Sequence, residues 1–75
     1  MIEYRVIDLR TEARFQQPIL VMAFSPEEAA NIALGVELVR SGSYLDLRAK
    51  VYFNDPGIKS SMVRLFAPLE QLLSN

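Results

Sequence analysis

Arg48, Lys50 and Tyr52 alternate along LRAKVYF (residues 47–53), so an extended chain carries all three on one side, and Arg64 follows in a second β-favouring run. Positive charge for phosphate beside an aromatic ring for base stacking equips an open sheet face to hold single-stranded nucleic acid. The same pattern also describes the ordinary wet side of a half-buried strand. A formal net charge of −1 gives the molecule no overall field to draw in a polyanion. The aromatic, glycine-rich signature of RNA-recognition sheets is missing. Nucleic-acid binding by Arg48, Lys50, Tyr52 and Arg64 therefore stands as the alternative reading.

Catalytic chemistry has less to work with. The chain contains no His and no Cys, which removes the commonest general base, the commonest metal ligand, thiol nucleophiles and disulfide staples. The acidic residues come one or two at a time, without metal-ligand spacing, and the adjacent Glu27 and Glu28 are explained by a helix start. No catalytic residue, metal or cofactor is assigned, and the chain is not expected to be an enzyme.

Apolar residues make up 51% of 75 residues, more than a small monomer readily buries. With disulfides and thiolate or imidazole metal sites excluded, association is the reinforcement left to so small a core. The best-defined element predicts where. In SPEEAANIALGVELVR, Ser25 caps a helix, Pro26 pre-sets its first turn, and Glu28 closes a capping box, so the pattern predicts a helix from Ser25 to Arg40. At 100° per residue Ala29, Ile32, Ala33, Val36 and Val39 form one apolar stripe, and Ala30, Leu34 and Leu38 a second, nearly opposite one. The first stripe is read as the core face. The second needs another cover, either Leu69, Leu72 and Leu73 folding back or a second chain, and these five leucines are the expected interface. On that reading Leu34→Glu with Leu38→Glu spares the helix and disrupts whatever covers the stripe. An unblocked sheet edge is a second route to association, with Arg5 and Lys50 as partial blockers.

The elements that must position these groups follow in order. Residues 2–9, IEYRVIDL, suit a strand with one wet face, and Pro18 ends the long connection after it. Ile19 to Phe24, ILVMAF, is apolar at every residue and is read as a strand buried on both sides or in the sheet centre. After the helix, Ser41-Gly42-Ser43 supplies a stop, with Gly42 for a left-handed cap, while Gly35 reads as a mid-helix weakness or close contact. Leu47–Phe53 and Met62–Phe66 pair as a hairpin around Asn54-Asp55-Pro56-Gly57, and PLEQLLSN closes with a helix of one or two turns.

One α+β domain over residues 1–75 results: β-β-α-β-β with a short C-terminal helix, a mostly antiparallel four-stranded sheet, and the main helix packed on one face. The chain lacks a signal-peptide pattern or a long apolar run and is read as cytoplasmic, with no membrane partner. The functional expectation is a non-catalytic protein-interaction or structural module, acting as a homo-oligomer with a dimer favoured, or as a small accessory subunit.

Overall fold

The computed structural model describes residues 1–54 and 60–68. Four strands, β1 (Ile2–Asp8), β2 (Ile19–Ala23), β3 (Leu47–Phe53) and β4 (Ser61–Phe66), form one antiparallel sheet in the order β2-β1-β3-β4. Among the described residues a single α-helix, α1 (Pro26–Leu34), packs on one face against β2, β1 and β3. This is the α+β arrangement expected from the sequence. The expected C-terminal helix, with Leu69, Leu72 and Leu73, lies outside the described residues, as does most of the turn between β3 and β4.

The register shows why one face is covered. Tyr4 pairs with Val21 and Phe53, Val6 with Ile19 and Val51, and Ala49 with Leu65, so strand alternation aims Tyr4, Val6, Val21, Ala49, Val51, Phe53 and Leu65 at the helix side. Tyr4, Val6, Ala23, Ala49, Val51 and Leu65 are buried with Ala29, Ala30 and Leu38 in one cluster. Tyr4 and Phe53 stack obliquely, ring centroids 5.2 Å apart. β3 carries a bulge between Leu47 and Ala49.

The helix start is built as its residues dictate: the Ser25 hydroxyl oxygen accepts from the Glu28 amide at 3.1 Å, and Glu28 Oε1 accepts from the Phe24 amide at 3.3 Å. Its end differs from expectation. α1 stops at Leu34 because Gly35 takes a left-handed conformation, φ +72°, and its N–H closes on the Asn31 carbonyl at 2.8 Å. Gly35, not Gly42, is the cap; an alanine-rich helix led the periodicity to run through a residue whose freedom at positive φ is a stop signal. Gly42 serves packing, since a Cβ there would stand 2.9 Å from the Phe66 Cβ.

Two further expectations change with it. The buried helix face is Pro26, Ala29 and Ala30, with Ala33 and Leu34 against the core, while Ile32 is 56% exposed. A nine-residue helix has no second stripe reaching Leu38. β2 is an outer strand, not a central one: Leu20 and Met22 are exposed, and an all-apolar run signals burial only where both flanks are covered.

The terminator predicts opposite signs for two pictures of this segment. Gly35→Ala should destabilise the fold by about 1 kcal/mol, because alanine disfavours the left-handed region; a helix continuing to Arg40 would instead be stabilised by about as much. Leu38→Ala should cost roughly 2–5 kcal/mol by emptying a buried site. Urea unfolding of the two variants measures both.

Candidate functional site

Two surfaces carry the residues singled out in the sequence. The first is the sheet face turned away from α1. Along it, cross-strand register sets Leu20 beside Arg5, Arg5 beside Tyr52, and Tyr52 beside Met62; one step on, Ile7 lies beside Lys50 and Lys50 beside Arg64. Arg48, next but one from Lys50 along β3, shares the side. The structure thus brings Arg48, Lys50, Tyr52 and Arg64 together and adds Arg5, which composition alone did not join to them. The only acid within the strands on this side is Glu3, paired with Met22.

No ion pair neutralises these cations among the described residues, where the salt bridges are Arg14 with Glu12 and Arg40 with Glu27. Lys50 and Arg64 directly opposite each other repel. Arg48 Nε and Nη2 are shielded from solvent without an acceptor among the described residues, a costly state for a guanidinium. The same positive face carries Leu20, Met22, Ile7 and Met62, so it is as apolar as it is cationic.

The second surface is the outer edge of β2. From Gln16 to Pro26 there is no charged side chain, and the strand and its continuation leave Ile19 40%, Leu20 59%, Met22 53% and Phe24 74% exposed. The opposite edge is treated differently. After α1 the chain returns along β4, where Val39 and Phe66 exchange both backbone hydrogen bonds, at 2.9 and 2.7 Å. One edge is closed at its end by the chain itself; along the other, no described residue pairs with β2.

Of the five leucines expected at an interface, Leu69, Leu72 and Leu73 lie outside the described residues. Leu34 packs against the core and Leu38 is 4% exposed within it, covered by their own chain. Exposed apolar side chains run contiguously along β2 and its continuation, and others stand at Phe15, Ile32, Tyr44 and Leu45. The signal available in the sequence was the uncharged run ILVMAF itself, read as interior.

A groove of about 370 Å³ runs between α1 and residues 37–39, lined by Glu27, Glu28, Asn31, Ile32, Glu37, Leu38 and Val39. Two of its carboxylates serve the fold: Glu28 caps the helix, and Glu27 Oε2 accepts from Arg40 Nε at 3.0 Å. That bond holds the Glu27 carboxyl below its ordinary value and raises Arg40. Among the described residues no three acidic groups are placed to share a metal ion, and no helix is long and apolar enough to cross a membrane.

No family model matches the chain, and no curated protein or solved structure matches it.

Because the folded-state Glu27 carboxyl is depressed, its pair stabilises the fold above the ordinary carboxylate value of about 4.5 and loses that contribution as pH falls through the lowered value. Both side chains are more than a third exposed, so the effect is small. Arg40→Gln should lower the thermal midpoint slightly at neutral pH, and the gap to the parent should close in acid below that value; a gap unchanged at low pH would show that Arg40 acts through packing.

Proposed function

We propose that this chain is a non-catalytic protein-interaction or structural module, cytoplasmic, working as a homo-oligomer or as a small accessory subunit. The observation that carries the reading is the bare, uncharged outer strand with Leu20, Met22 and Phe24 in solvent. Contiguous exposed apolar surface of this kind marks contact sites in proteins that otherwise hide such groups. An outer strand adds backbone hydrogen bonding to that attraction, which makes a partner's strand its natural complement. A core in which the largest fully buried side chains are Leu65, Val6 and Val51 leaves stability for association to supply.

One observation favours a second reading. Arg5, Arg48, Lys50 and Arg64 share a face without ion-pair partners among the described residues, and Tyr52 lies between Arg5 and Met62. Weak single-stranded nucleic-acid binding would use the cations for phosphate and the ring for stacking.

Light scattering on a sizing column at tens of micromolar should return a mass above the 8.5 kDa of one chain; an unvarying monomer would remove the homo-oligomeric form of the proposal. Fluorescence anisotropy with labelled single-stranded DNA and RNA at two salt concentrations tests the second reading. A flat titration at low salt ends it, whereas binding that weakens with salt and is lost in Lys50→Gln with Arg64→Gln sustains it.

A further inference from the structure

The phase of the hydrogen-bond ladder determines what the bare edge can accept. The Leu9 N–H donates to the Arg48 carbonyl at 2.9 Å, one step beyond the β1–β3 register. In an antiparallel ladder successive residues aim their backbone groups to alternate sides, so Glu3, Arg5 and Ile7 bond towards β3 and Ile2, Tyr4 and Val6 towards β2. Their partners Ala23, Val21 and Ile19 therefore spend their amides and carbonyls on β1. Leu20 and Met22 aim theirs outward. The far edge obeys the same phase, since Phe66, aligned with Arg64 and Met62, is the residue that bonds outward to Val39.

We infer that the partner of this edge is β2 of a second copy, paired antiparallel about a two-fold axis at Val21. This rests on the interaction-module reading and names its partner. Centred on Val21, Leu20 faces Met22 of the other copy and exchanges both backbone bonds with it, and the symmetric pair does the same. Centred on Leu20, Met22 meets Pro18, which has no donor. Centred on Met22, Leu20 meets Phe24, whose N–H is already given to Glu28 Oε1. The Val21 register alone satisfies every outward group of the strand.

Side chains agree with the backbone. With no charge from residue 16 to residue 26, self-pairing sets no like charges together, while a charged partner strand would meet apolar surface. On one face Leu20 lies against the partner's Met22; on the other Val21 meets its own copy. β4 offers no such match, because self-pairing about Arg64 would oppose two arginines and Val39 already occupies the Phe66 end. A two-fold normal to the sheet keeps both helices on one side. The dimer is then an eight-stranded sheet with the cationic faces of both copies side by side on the other.

The test uses the absence of native cysteine. Facing Val21 residues, as a pair that exchanges no hydrogen bonds, lie about 4.5 Å apart at Cα, within disulfide reach. Met22 and its own symmetry copy are separated by about 8 Å, beyond it. Under mild oxidation Val21→Cys should cross-link to a dimer and Met22→Cys should not. Met22→Pro, which removes an outward donor and the side chain set against the partner's Leu20 but no bond to β1, should keep its circular dichroism and fall to the monomer mass. Cross-linking at Met22 in preference to Val21 overturns the inferred register. An oligomer indifferent to Met22→Pro and unlinked through Val21→Cys overturns the edge pairing while the interaction reading stands. A parent chain that is monomeric at every concentration overturns both the pairing and self-association.

Discussion

The left-handed turn at Gly35 is the constraint on which the rest of the molecule depends. By ending α1 after nine residues it releases the following segment from helical geometry and sends it back across the sheet. Leu38 can then enter the core, and Val39 can join the end of β4 through two backbone bonds. The tight approach of Gly42 to Phe66 holds the return path. A longer helix would have kept Val39 in helical geometry and left the end of β4 without that partner. A single residue able to hold φ near +72° thus decides which apolar side chains are interior.

The layer beneath that turn is thin by composition. Ala23, Ala29, Ala30 and Ala49 are all fully buried, so helix and sheet approach on small side chains, and little volume separates them. Close approach suits a short helix, but it limits how much apolar surface the chain can remove from water. α1 lies over β2, β1 and β3, and the returning segment with Val36 and Leu38 completes the cover. The side of β2 that carries Leu20 and Met22 receives neither. Among the described residues a single α-helix serves a sheet whose two faces both carry apolar residues, and it lies on the other face.

Charge is sorted between the same two layers. Glu27, Glu28 and Glu37 line the groove on the helix side, where the first two meet the helix N-terminus and Glu27 meets Arg40. Arg5, Arg48, Lys50 and Arg64 gather on the opposite side of the sheet. A net charge of −1 conceals this polarity because the two sets nearly cancel in the sum. The uncharged edge of β2 runs between them. It is the part of the surface where neither attraction to water nor repulsion from a like surface opposes contact.

From the sequence alone the element types, the antiparallel sheet, the cap at Ser25 and the shared side of Arg48, Lys50 and Tyr52 could be read, because each rests on interactions within a few residues or on strand alternation. LRAKVYF was legible as a strand whose apolar and charged positions alternate, but not the bulge between Leu47 and Ala49 that breaks the alternation at its start. Whether ILVMAF was central or outermost could not be read. Sheet order is set by pairings between residues distant in the chain, and an apolar strand looks the same whether both neighbours or only one is present. The helix end turned on Gly35, which periodicity weighs as a small cost and tertiary structure uses as a corner. Local chemistry determined what each segment is; the packing of one short helix over four strands decided which of its greasy residues had anywhere to hide, because burial depends on the area available and not on the side chain that seeks it.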